Sequence, residues 1–256
     1  MRSTLLTNKV NNWHKKLFYW HRSSRLLLPG ICLICLQPLA GKRDLCKACI
    51  QQLPSNTNCC QFCAEPLTTR LQPSICNSCH KAPAAFNQVL APWLYLPPYS
   101  QLIWEFKYTK NLAAGYLLLD MLSDTLAKNN KNYDCLVVIP GQKDRIKQRG
   151  YHAPTWLARR LALLSDLTFH KNGLKRIKDI PSQQGLGRKA RWLNPRGTFE
   201  ATTEVTDKNV LLLDDVITTG ATTHWAAEEL KKQGAVSVDV LATAKTPASF
   251  NDFMTY

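Results

Sequence analysis

Asp214 and Asp215 stand side by side in the run VLLLDDVITTGAT, residues 210–222, and the order of side chains around them has a chemical meaning. Ionised carboxylates only accept hydrogen bonds, so an adjacent pair suits the two hydroxyls of a vicinal diol. Thr218, Thr219, Gly220, Ala221 and Thr222 follow as a small, hydroxyl-rich turn ahead of an apolar-periodic helix over residues 224–233. A helix N-terminus of this kind is an anion cradle, because its first N–H groups lack intrahelical partners and its dipole favours negative charge. Gly220 lets a ligand approach the backbone closely. A phosphate next to a diol has the outline of a ribose 5-phosphate.

A second set of residues has metal-ligand spacing. Of ten cysteines, eight form four C-x2-C pairs: Cys32 with Cys35, Cys46 with Cys49, Cys60 with Cys63, and Cys76 with Cys79. Two thiolates of one knuckle reach the same ion, and two knuckles close a tetrahedral zinc site. The short intervals between successive pairs favour two sequential ribbons of four thiolates each, with an interleaved cross-brace as the alternative. Each site would be structural, since no ligand position is left open, and the bound Zn2+ would hold the fold where little apolar core exists. Cys59, next to Cys60, is an alternative ligand; His80 reads as a polar flank and Cys135 as a buried thiol.

The elements that must position these groups follow from apolar patterning. Residues 210–213 have the length and composition of a strand buried on both faces, ended by the two acids. Other strands are expected at 89–97, with Pro92 weakening it, at 135–140 and at 236–244. Helices are expected on both sides of a polar break, KYTKN, within residues 98–129, and over 149–164. Strands alternating with helices predict an α/β fold, a mainly parallel sheet flanked by helices, with ligands outside the carboxyl ends of the strands. The expected division is a basic segment 1–28, a double zinc-ribbon module 29–82 and an α/β domain 88–248.

The net charge of +15 is unevenly spread. Residues 143–196 carry fourteen Lys or Arg against three Asp, whereas nine acids face four bases from Glu200 onward. A local positive field of this kind draws polyanions, either a pyrophosphate or a nucleic acid backbone. Residues 1–30 hold six bases and no acid, but Pro29 and Gly30 interrupt the apolar run that follows, which argues against a secretion signal. No stretch of eighteen apolar residues exists, so no transmembrane segment is expected and a cytoplasmic location is the default.

The run 210–222 resembles the signature of the type I phosphoribosyltransferases, in which an apolar strand, two acids and a TTGAT-like loop hold phosphoribosyl pyrophosphate. The wider order of motifs resembles the ComF family of natural competence. It comprises the cysteine-pair ribbons, Phe106-Lys107-Tyr108, a strand ending at Pro140, Arg145 with Arg149-Gly150-Tyr151, then Gln184, Leu186, Arg188, Arg191 and Asn194, and the acidic run. The chain departs from the family where His152 and Ala153 replace an amide pair.

This resemblance implies a phosphoribosyltransferase-like domain acting in DNA uptake, natural transformation or the use of DNA as nutrient. It implies Asp214 and Asp215 as catalytic groups on the ribose hydroxyls, residues 218–222 on the 5-phosphate, and Lys107 and Arg149 on the donor, with Mg2+ between pyrophosphate and ribose oxygens. Arg145, Arg176, Arg188 and Arg191 form a basic lid or a DNA contact. The acceptor is unnamed. The alternatives are a non-catalytic adaptor that binds single-stranded DNA at the uptake machinery, partnered by a competence helicase or channel protein, and a ligand-sensing regulator. His152 reads as a solvent-facing residue at a helix start, with a base or phosphate ligand as the other option.

Overall fold

The computed structural model describes residues 30–39, 43–68, 74–178, 192 and 195–248. The expected basic segment 1–28 and the motif residues Gln184, Leu186, Arg188, Arg191 and Asn194 lie outside them.

Two knuckle units open the described chain, and they are built alike. In the first, strands β1 (Gly30–Ile31) and β2 (Pro38–Leu39) pair antiparallel around a turn in which Leu36 takes a left-handed conformation, φ 60°. In the second, Ala64 takes the same conformation, φ 56°, four residues after Cys60 just as Leu36 follows Cys32. Each unit then ends in a five-residue helix, α1 (Lys47–Gln51) or α2 (Asn77–Lys81). The N-caps are cysteines: the Cys46 sulfur accepts from the Cys49 amide at 3.4 Å and the Cys76 sulfur from the Cys79 amide at 3.5 Å. A thiolate here does the work usually done by Ser or Asp.

Beyond the knuckles come β3 (Gln88–Leu90), α3 (Tyr99–Trp104), a π-helical turn at Glu105–Thr109 and α4 (Leu112–Ala127). Strand β4 (Cys135–Val138), helices α5 (Lys143–Arg149) and α6 (Ala153–Ser165), and strand β5 (Thr168–Phe169) follow. A small antiparallel pair, β6 (Leu174–Arg176) and β7 (Phe199–Ala201), precedes β8 (Asn209–Ile217), α7 (Ala221–Lys232) and β9 (Ser237–Lys245). The five-stranded sheet has the order β3-β9-β8-β4-β5, and every neighbouring pair is parallel. Leu136, Val138, Leu211, Leu213 and Leu241 face one core with α3, α4 and α6, while Val137, Val210, Leu212, Val238 and Val240 face the other with α7. Burial on both faces explains why β4, β8 and β9 read as continuous apolar runs.

Four expectations are corrected. The first strand stops at Leu90 rather than reaching residue 97; Pro92 cannot donate to a ladder, and Trp93 and Leu94 make only isolated bridges. The two acids do not end the acidic strand, which runs on to Ile217. The helix expected over 149–164 is two helices: Gly150, φ 75°, ends α5 in a left-handed cap, and Pro154 opens α6 in its first turn. Helix α7 begins at Ala221, so the threonine-rich turn is partly its first turn. The polar break KYTKN is realised as the π turn followed by Lys110 at φ 60°.

The knuckles rest on the sheet domain through apolar and polar contacts, among them the pair of Arg43 with Asp124. Leu39, Leu45, Cys49 and Leu53 join the core that contains Leu117, Leu118 and Met121 of α4. Between the units, the Asn56 side-chain amide donates to the Ala64 carbonyl at 2.8 Å and to the Ala91 carbonyl at 3.1 Å.

Candidate functional site

Strand β8 brings both acids to the carboxyl end of the sheet, one turn before α7. The Asp214 and Asp215 carboxylates each accept from the next backbone amide, Asp215 N at 2.9 Å and Val216 N at 2.7 Å. Lys107, projected from the π turn, sets its Nζ 2.7 Å from Asp215 Oδ2, with only about a sixth of either side chain exposed. Such turns recur at functional sites because the extra residue re-aims a side chain. Burial opposes ionisation of Asp215, but the Lys107 ammonium and its hydrogen bond outweigh it and hold the carboxyl below its ordinary range. The same burial works against Lys107, and Asp215 raises it. Among the described residues Asp214 has no such partner. Burial first, then the Asp215 charge, pushes it up to about 7. The two acids therefore carry between one and two negative charges near neutrality, a state poised to give up a proton to an arriving cation.

The turn after the acids opens a helix. Gly220, at φ 78°, is the N-cap of α7, and its carbonyl accepts from His224 N at 2.8 Å and from Thr223 Oγ1 at 2.8 Å. A residue with a Cβ would be strained at that φ. Thr219 Oγ1 lies 3.4 Å from Ala221 N. Thr218 is exposed, and its carbonyl is fixed from behind by Lys245 Nζ at 2.9 Å. Lys245 is 3% exposed and pairs with Glu65 Oε2 of the second knuckle unit at 2.6 Å. Glu65 Oε1 also accepts from Ala248 N at 2.7 Å.

Other expected residues are placed differently. Arg149 turns to Tyr108, donating to its hydroxyl at 3.0 Å with the guanidinium 4.5 Å from the ring centre, instead of lying on the acids. Arg176 donates through Nε to the Pro140 carbonyl at 3.0 Å and lies over the Phe199 ring. Arg145 is exposed on α5. His152 is not solvent-facing: its ring fills the space a Cβ on Gly141 would need, at 2.7 Å, and Nδ1 meets Thr155 Oγ1 at 2.7 Å. Burial drives its pKa down to about 4, so it is neutral at pH 7 and brings no positive charge to a phosphate.

Sequence reasoning missed Lys245 and Glu65. The one signal was a lysine ending an otherwise apolar strand at a position that the sheet buries. It also missed the contact between residue 192 and α7, where Trp225 Nε1 donates to the Trp192 carbonyl at 2.8 Å and the Trp192 and His224 rings lie 5.0 Å apart.

The cysteines assemble as sequential sets. Cys32, Cys35, Cys46 and Cys49 bring their sulfurs within 4.8 Å of one another, and so do Cys60, Cys63, Cys76 and Cys79. A tetrahedral zinc with bonds of about 2.3 Å needs sulfurs about 3.8 Å apart. Cys35 and Cys46 are at 3.8 Å and Cys63 and Cys76 at 3.6 Å, close to what a tetrahedral ion needs. The cross-brace is excluded, and Cys59 is outside both sets.

Comparison with known proteins finds family matches in two separate parts of the chain. A double zinc ribbon domain model matches residues 23–80, and a phosphoribosyl transferase domain model matches residues 157–250. The DNA utilization protein YhgH of Escherichia coli (strain K12) is 26% identical over 227 residues, covering 86% of this chain and 99% of that protein. Competence protein F of Haemophilus influenzae is 27% identical over 178 residues, covering 66% of this chain and 78% of that protein. Glutamine phosphoribosylpyrophosphate amidotransferase from B. subtilis superposes with a TM-score of 0.37 at 18% identity. That overlap spans 55% of this chain and only 30% of the enzyme, too little to bear on the site. No helix among the described residues is long and apolar enough to cross a membrane.

Proposed function

We propose that this ComF/YhgH-like chain, a double zinc ribbon followed by a phosphoribosyltransferase-like domain, binds phosphoribosyl pyrophosphate with Mg2+ and serves in the uptake or use of DNA. The observation that carries the reading is the joint placement of Asp214, Asp215 and the Gly220-capped helix at one strand end. Asp214 and Asp215 hold the ribose hydroxyls, and the hydroxyls and amides of residues 218–222 hold the 5-phosphate. Lys107 keeps Asp215 ionised and so able to stabilise positive charge developing at the anomeric carbon. A pyrophosphate contact by Lys107 requires the ammonium to leave Asp215 or to serve both. Bound Mg2+ would neutralise the pyrophosphate and orient it as a leaving group. Zn2+ in the two four-cysteine sets is structural. The segments 29–82 and 88–248 are the ribbon module and the ligand-binding domain in this scheme.

The test is direct. Donor with Mg2+ at a hundred times its Kd should stabilise the protein by about 2.7 kcal/mol. Asp214→Asn with Asp215→Asn should abolish the rise, and an unchanged melting curve for the unaltered protein refutes the pocket. Pyrophosphate release across a panel of free bases and bases in DNA separates a transferase from a binder.

A second reading, an adaptor for single-stranded DNA without turnover, is favoured by one observation. Arg149 faces the surface with Tyr108, where a DNA backbone reaches it more readily than a buried pyrophosphate. Partners in the uptake machinery belong to this reading.

A further inference from the structure

The turn of helix that sends Lys107 inward sends two aromatic rings outward. Trp104 and Tyr108 lie side by side, ring centres 5.7 Å apart and planes 31° from parallel, and each is about half exposed, 49% and 50%. Large aromatic side chains are seldom left in water as adjacent pairs without a use. The core does not need them: Phe106, between them in sequence, is the ring that packs on Tyr151 and Trp156.

Cations gather at the edge of this pair. Arg149 stacks on Tyr108. The Lys110 ammonium lies about 3 Å from where a Cβ on Gly150 would be, which brings it to the end of α5. Helix α5 itself carries Lys143, Arg145, Lys147 and Arg149 against the single acid Asp144. Among the described residues no ion pair engages Lys110, Lys143, Arg145, Lys147 or Arg149. Flat rings beside uncompensated positive charge match a ligand with flat faces and a regular negative backbone. Duplex DNA hides its base faces, and a single strand exposes them.

We infer that Trp104 and Tyr108 form a stacking platform for the bases of single-stranded DNA, with Arg149 and Lys110 meeting the phosphates between them. The platform rests on the DNA-handling reading given above and not on the donor pocket. It lies on the outer side of the turn that supplies Lys107 to Asp215, so a stacked base is held at the rim of the acid pair.

The experiment uses the full chain, zinc-loaded, and a fluorescein-labelled oligothymidylate against a duplex of equal length, read by anisotropy. Replacing both rings (Trp104→Ala with Tyr108→Ala) should weaken the single strand roughly 10- to 100-fold and leave duplex binding and the melting curve in place. Trp104→Phe should retain the affinity while removing most of the tryptophan fluorescence quenching that the oligonucleotide causes, a readout that survives if the double variant fails to fold. The pocket is tested separately: Asp214→Asn with Asp215→Asn should lose the calorimetric signal of the donor and keep oligonucleotide binding. A folded double variant that binds oligothymidylate as tightly as the unaltered protein overturns the platform. Failure of the unaltered protein to bind the oligonucleotide overturns it equally.

Discussion

The two ribbons are near copies in backbone, and each joins the sheet domain by apolar contact and by an ion pair, but the two pairs differ in place and burial. Each has a left-handed residue four places after its first cysteine and a cysteine that caps its short helix. The first packs Leu39, Leu45 and Leu53 against α4, where Arg43 also pairs with Asp124 in a partly exposed bridge. The second reaches the rear of the 218–222 loop through a buried charge: Glu65 meets Lys245, and Lys245 holds the Thr218 carbonyl. Apolar attachment is non-directional and contributes stability alone. A buried ion pair fixes position as well, and removing one partner leaves an uncompensated charge. The second ribbon should therefore be part of the pocket's architecture, and the first only of the protein's stability.

Removing metal gives the largest effect and the sharpest contrast. Cys35→Ser with Cys46→Ser, or Cys63→Ser with Cys76→Ser, should each reduce zinc from two ions to one per chain and cost on the order of 5 kcal/mol or more. Only the second pair should also erase the stabilisation by donor and Mg2+. Equal loss from both would break the comparison. Next comes Lys245→Met, expected to destabilise by about 3–5 kcal/mol by stranding Glu65, with Glu65→Gln added in the same chain recovering a large part. Denaturant melts of the four chains of that cycle measure the coupling. Leu53→Ala should cost about 2–4 kcal/mol through the cavity it leaves, with donor affinity in calorimetry unchanged.

The smallest effect concerns pH. Folding raises Asp214 from 3.8 to about 7, so the folded chain binds its proton more tightly than the unfolded one. Its contribution to stability is therefore greatest below about 4, declines as pH rises, and levels off above about 7. Asp214→Asn cannot ionise, so relative to the unaltered protein it should gain stability steadily as pH rises from 4 to 7 and no more above that. A constant difference across that range would show that Asp214 titrates normally.

Much of this is legible in the sequence. Strands β4, β8 and β9 announce themselves because both faces are buried, and an apolar run leaves no other reading at that length. The cysteine pairs declare a metal fold, and the loop at 218–222 declares a helix N-terminus. What cannot be read is long-range and charged. Lys107 with Asp215, and Lys245 with Glu65, join residues far apart in the chain, and an isolated lysine has no period to betray its partner. Arg149 shows the same limit: nothing in its sequence neighbourhood indicates that the end of α5 sets it against Tyr108. Helix boundaries near Gly150 and Pro154 are blurred because apolar spacing continues across them.

The π turn at Glu105–Thr109 amounts to one residue more than regular winding requires. Deleting a single residue there would let the segment coil as an ordinary α-helix, with better hydrogen-bond geometry. Everything downstream of the cut would also rotate by about 100° relative to what precedes it. Lys107 would swing away from Asp215 and Tyr108 out of line with Trp104. The smoother helix would lose both placements, and an irregularity that looks like a flaw in the coil is what sets the inner and outer faces of this turn in register.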